Sequence, residues 1–119
     1  MKAINVNDKL NLINDLWNPR VIAELNGQQV KIAKIKGEFV WHDHQEEDEL
    51  FYVIKGKLKL EFKDKTVEVN EGEMIVVPMG VAHRPIAEEE VWIMLFEPAK
   101  IKHTGDVKSD LTVEKYEKI

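Results

Sequence analysis

Apolar and polar residues alternate in short runs along most of the chain, and turn residues separate the runs. Leu58, Leu60 and Phe62 alternate with Lys59, Glu61 and Lys63, the period of a strand that buries one face. Val30-Lys31-Ile32-Ala33-Lys34-Ile35 carries a similar signature. Extended along the sequence, the pattern predicts strands at 30–35, 38–44, 49–54, 58–63, 66–69, 74–77, 82–87 and 91–97. Gly37, Lys55-Gly56, Asp64-Lys65, Asn70-Glu71-Gly72, Pro78 with Gly80, and Glu88-Glu89-Glu90 punctuate them. Short strands at even spacing predict an all-β sandwich or barrel.

The ends read differently. Leu10, Ile13 and Leu16 are spaced three apart, which predicts a short helix over 8–16 or an arm. Residues 103–119 are polar and predict a tail or a final strand around Leu111-Thr112-Val113. With no linker, repeat or low-complexity stretch, the expectation is one domain over 1–119. It has a barrel core at about 29–97, an N-terminal arm at 1–28 and a C-terminal tail at 103–119.

Composition narrows the function classes. The 119 residues are 44% hydrophobic and 33% charged, the balance of a globular domain. Net charge is -5 with both signs interspersed, so no basic patch marks a nucleic-acid partner. No apolar run approaches the roughly 20 residues of a membrane-spanning helix, and residues 1–17 lack the apolar stretch of a leader. The chain is therefore expected in the cytoplasm. It has no cysteine, which excludes disulfides and thiolate ligands.

The chemistry concentrates in the histidines. Of four, three fall in two clusters: Trp41-His42-Asp43-His44 followed by Glu49, and His83. Side chains at i and i+2 of a strand share a face, so His42 and His44 project together with Val40. Trp41 and Asp43 then face the other way. The odd step to Glu49 requires Gln45-Glu46-Glu47-Asp48 to bend the chain. Tandem histidines on a strand are also often an exposed polar face, and this first cluster alone leaves both readings open.

The second cluster reads Gly72-Glu73-Met74-Ile75-Val76-Val77-Pro78-Met79-Gly80-Val81-Ala82-His83. Its spacing of Gly, five residues, Pro, one residue, Gly, two residues and His resembles the second motif of the cupin family. The first motif is matched by His42-x-His44, four residues, Glu49, six residues and Gly56. Two departures stand out: Gly37 precedes His42 by four residues where the family has five, and Ala87 stands where the family has Asn. The resemblance implies an all-β cupin double-stranded β-helix, a jelly-roll barrel. It implies a divalent transition metal inside, one of Mn, Fe, Ni, Co or Zn, held by His42, His44, Glu49 and His83. It also implies a homodimer. Small cupins of this kind are often likened to mannose-6-phosphate isomerases.

Strand parity supplies the pocket: Val40, Phe51, Val53, Pro85, Ile93 and Leu95 share faces with the ligands and make it largely apolar. No separate general base stands out in the pocket; Glu97, at a strand end, is the nearest candidate. Parity turns Arg84 outward, and no other cation is expected inside, which argues against a phosphorylated sugar. Phe39, Trp41, Tyr52 and Ile54 are expected on outer faces, to be covered by a second copy or by the N-terminal arm. His103 is expected in an exposed loop. Three function classes follow: a metal-dependent enzyme of oxygenase or isomerase type on a small molecule, a non-catalytic small-molecule sensor or binding module, or a structural dimer with a vestigial site, against which the intact four-ligand set argues.

Overall fold

The structure, a computed structural model, describes residues 1–99, 105, 109–113 and 115–119. The chain forms one short helix, α1 (Val6–Leu10), and eight strands among the described residues. These are β1 (Arg20–Leu25), β2 (Gln28–Glu38), β3 (Glu49–Lys55), β4 (Leu58–Phe62), β5 (Thr66–Val69), β6 (Met74–Val77), β7 (His83–Pro98) and β8 (Glu117–Lys118). The expected all-β fold with a short N-terminal helix is present. No helix among the described residues is long and apolar enough to cross a membrane.

β7 organises the sheet. Its first residues pair with β4, as Phe62↔His83 and Lys59↔Ile86. Its last residues pair with β3, as Val53↔Ile93 and Leu50↔Phe96, and β2 runs beside both parts. The sequence pattern breaks this strand at Glu88-Glu89-Glu90; the structure does not. Ile35 faces Val91 and Gly37 faces Ala87, so Lys36 alone opposes the three exposed glutamates. That bulge bends β7 without ending it, which lets one strand pair with β4 at its start and β3 at its end.

Three further expectations change. β1 lies within the segment read as an arm; Asn26 and Gly27, at φ 50° and 76°, fold it onto β2 in the Asn-Gly manner of a tight hairpin. The expected strand at 38–44 is absent beyond Glu38, leaving only a bridge between His42 and His83. Residues 111–113 form no strand; the last strand is β8, parallel to β1. His103 lies outside the described residues.

The helix starts and stops earlier than the 8–16 expectation. The Asn5 side chain accepts from the Asp8 amide and caps it, and Asn11 ends it. Leu10 and Ile13 still bury, against Ile32 on the outer face of β2, with Ile54, Trp92 and Met94 around them. The inner face of the same strand carries Lys31, Ala33 and Ile35 into the barrel. Glycine is required at the β3–β4 turn: Gly56 has φ 94°, and a Cβ there would lie 3.0 Å from the Glu90 carbonyl and 3.2 Å from a Val91 methyl.

Candidate metal centre

The four residues arrive from three parts of the fold. His42 and His44 lie on the irregular segment after β2, Glu49 opens β3, and His83 opens β7. Backbone bonds fix their approach. His42 N donates to His83 O at 3.0 Å, and His83 N donates to His42 O at 2.9 Å. Gly80 N donates to His44 O at 2.8 Å, and Met79 N to Asp48 Oδ1 at 2.9 Å. The segment that delivers His83 is thus tied to the one that delivers His44 and Glu49.

The side chains converge. One ligand atom from each of His42, His44, Glu49 and His83 can be chosen so that all four lie within 4.8 Å of one another, and all four residues are buried. Carbonyls set the tautomers. His42 Nδ1 lies 2.9 Å from Val40 O, and His83 Nδ1 lies 2.9 Å from Val81 O. A carbonyl only accepts, so each Nδ1 carries the proton and each Nε2 of a neutral ring presents a lone pair. His83 Nε2 stands 3.2 Å, and His44 Nε2 3.4 Å, from Glu49 Oε1. His42 Nε2 and His44 Nε2 are buried without a hydrogen-bond partner.

The electrostatics favour ligation. Burial and the neighbouring His83 push His42 down to about 4, so it is neutral at pH 7. Burial acts to raise the Glu49 carboxyl, but the His44, His83 and Glu97 side chains around it outweigh burial and hold it below the usual carboxylate range. Glu97 is pushed up by burial and by the Glu49 charge, while Lys31 opposes. Lys31 Nζ lies 3.0 Å from Glu97 Oε1, with both side chains wholly buried, and 3.9 Å from the centre of the Tyr116 ring. An interior cation is the opposite of what alternation in 30–35 suggests. Val30 and Ile32 occupy the outer face, which α1 covers in part, so Lys31 is turned inward. It is already committed to Glu97.

A small apolar cavity of about 30 Å³ adjoins His42 and Glu49. Phe51, Pro85, Ile93 and Leu95 line it. Val40 and Val53 do not. Val53 is buried in the core, and Val40 is half-buried in the segment after Glu38, which is no longer a strand, so parity does not apply there. Phe39 faces the cavity instead, edge-on to His42 with ring centres 5.5 Å apart. Trp17, which parity did not assign to the pocket, stacks on Phe39 at 4.6 Å and also lines the cavity. It adopts φ 58°, unusual for a bulky residue, and its Nε1 donates to Lys36 O. Arg84 faces outward as expected, on Glu61 at 2.7 Å and beside Trp41.

Comparisons with known proteins agree with this geometry. A family model described as a cupin domain matches residues 29–113. A cupin-2 domain containing protein from Shewanella frigidimarina is 52% identical, covering 80% of this chain and 93% of that one, with TM-score 0.79. A protein from Neisseria meningitidis is 33% identical, covering 82% of this chain and 99% of that one, with TM-score 0.76. These likenesses identify the fold as a jelly-roll β fold. The 3-hydroxyanthranilate 3,4-dioxygenase of Xenopus laevis is 28% identical over 111 residues, 87% of this chain and 39% of that protein. The uncharacterized protein YdbB of Bacillus subtilis is 41% identical over 64 residues, 53% of this chain and 57% of that one. The matches thus span less than two thirds of either curated relative.

Proposed function

Given that the chain belongs to the cupin family, we propose that it binds one divalent transition metal through His42, His44, Glu49 and His83 and uses it in oxygenase-type chemistry on a small molecule. The observation that carries the reading is the pair of buried Nε2 atoms on His42 and His44 with no partner, in a set of four buried ligand residues. Imidazole and carboxylate donors suit Mn, Fe, Ni, Co or Zn. When bound, such an ion supplies a Lewis acid, and for iron a redox centre, at the wall of an apolar cavity.

The chain's own residues have distinct tasks. The Val40 and Val81 carbonyls hold the protons of His42 and His83 at Nδ1 and aim each Nε2 inward. Glu49 supplies the negative charge. Phe39, Phe51 and Leu95 exclude bulk water. A cavity of about 30 Å³ has room for a water or two, a size that also admits dioxygen. Likeness to a protein named a dioxygenase, over 87% of this chain, supports the oxygenase class. The isomerase alternative has less support, because the interior cation, Lys31, is taken by Glu97.

Metal analysis of protein purified without chelators tests the metal. The expectation is close to one equivalent per chain, lost in His83→Ala. Only traces of metal, with no uptake on titration, would refute it. Dioxygen consumption across a panel of small hydroxylated aromatic acids tests the chemistry. Metal-loaded protein that binds members of the panel and turns none over would instead support a non-catalytic binding module. That second reading rests on one observation: the interior carboxylate next to the ligands, Glu97, is engaged by Lys31 and is a poor general base.

We further propose a homodimer. The outer face that remains apolar is not Phe39, which is buried, nor Ile54, which α1 covers. It is the row Val76–Leu50–Phe96–Val30 across four neighbouring strands, flanked by Met74 and Tyr52. Phe96 is 36%, Val76 51% and Met74 60% exposed.

A further inference from the structure

A second cleft, larger than the cavity beside the histidines, opens elsewhere on the barrel. It has a volume of about 390 Å³ and lies between the β4–β5 turn and the β6–β7 connection. Among the described residues β5 pairs only with β4, and β6 only with β3, so each strand that lines the cleft has an unpaired edge. Its walls are apolar: Phe62, Val67, Ile75 and Val81. Lys63 and Lys65 stand at its rim with Asp64 between them. The Lys63 ammonium sits 4.0 Å from the centre of the Trp41 ring, which holds that charge at the rim.

We propose that this cleft is a second ligand site, for a small amphipathic anion with an apolar body and a single carboxylate-type head. Size is the first argument. Small-molecule pockets run from roughly 300 to 1,000 Å³, and this cleft falls within that range. Chemistry is the second. Apolar walls bury the body, and two lysines against one aspartate leave a net positive rim in a chain of net charge -5. The site is separate from the metal centre. None of His42, His44, Glu49 and His83 lines the cleft, and the ring of Phe62, which does, is centred 6.5 Å from that of His83. The inference therefore does not depend on the metal reading.

Sodium octanoate and octan-1-ol, titrated into chelator-treated protein by calorimetry, test it. Octanoate should saturate one site per chain and bind several-fold more tightly than octanol. The double charge reversal Lys63→Glu/Lys65→Glu should weaken octanoate by roughly tenfold and leave octanol unchanged, since each exposed ion pair is worth a factor of a few. Val81→Asp, at an exposed wall position, should abolish both. Unfolding midpoints and light scattering accompany each variant. No saturable octanoate binding by folded protein overturns the proposal. So does equal binding of octanol, which would mark a neutral ligand, or binding that Val81→Asp leaves intact. If Val81→Asp converts a dimer to a monomer, the cleft's occupant is a second copy and the proposal also fails.

Discussion

Replacing Lys31 with methionine keeps most of the stem's volume and removes one buried charge. The ammonium lies 3.0 Å from Glu97 Oε1, and neither side chain is exposed. It also sits over the Tyr116 ring at 3.9 Å. Breaking a buried ion pair from one side costs about 3–5 kcal/mol, because the partner is left charged and unpaired. Removing both charges, as in Lys31→Met/Glu97→Leu, is close to neutral in comparable cases. The coupling between the two sites is thus several kcal/mol. It also depends on pH. Burial and Glu49 already raise the Glu97 carboxyl, and Lys31 opposes them; without Lys31 it rises further. A raised carboxyl binds its proton more tightly in the folded chain. The stability of Lys31→Met is therefore best preserved near pH 4.5 and falls as pH rises above it. Urea unfolding followed by tryptophan fluorescence, in chelator-treated protein at pH 5.5 and pH 8, measures this. The single variant should lose more at pH 8 than at pH 5.5, and the double variant should recover most of the loss. A single variant costing under about 1 kcal/mol, or a double variant no more stable than the single, refutes the reading.

Three further outcomes follow from the same physics. His42, held down at about 4 against 6.5 when unfolded, favours folding above pH 6.5; chelator-treated protein should lose stability as pH falls from 6.5 to 4, and His42→Gln should flatten that slope. Gly56→Ala forces a Cβ to within 3.0 Å of the Glu90 carbonyl at φ 94° and should cost about 1–3 kcal/mol or more in thermal unfolding. Leu10→Ala empties the seat of α1 on Ile32 and should cost about 2–5 kcal/mol; a change within the error of the midpoint would mean the helix does not pack there.

Much of the barrel was legible because period-two alternation survives wherever one strand face is buried. β4, β5 and β6 carry the pattern and were bounded to within a residue. Motif spacing marked the ligand residues, because side-chain chemistry at fixed separations does not require knowing how the chain bends between them. Parity failed where the strand did. After Glu38 the chain leaves the ladder, so Phe39, and not Val40, faces the cavity. Alternation also cannot reveal which face of a strand buried on both sides is interior. Lys31 reads as the exposed face of β2, yet it is interior because α1 covers much of the opposite face. The Asn26-Gly27 signal for the β1–β2 hairpin was present but was masked by a first strand, Arg20–Leu25, that lacks strict alternation. Trp17 has no local signal at all: its place on the cavity comes from long-range stacking on Phe39.

The interior charges bear on the metal more directly than the spacing does. Glu49 is 2% exposed and its carboxyl is held below the usual range, so it is ionised at neutral pH. Lys31 is spent on Glu97, and the groups around the Glu49 carboxylate are the His44 and His83 imidazoles and the Glu97 carboxyl. A proton on one of those rings would balance the charge, but it would satisfy only that ring and leave other buried Nε2 atoms orphaned. Protonating His42 is also opposed by burial and by His83. A divalent cation meets all the demands together: it balances Glu49 and takes the lone pairs of His42, His44 and His83. Binding to the folded chain alone adds RT ln(1 + [M]/Kd) to its stability, about 2.7 kcal/mol at a hundredfold excess over Kd. An unfolding midpoint that ignored metal concentration across that range would show that the Glu49 charge is balanced by something other than a cation.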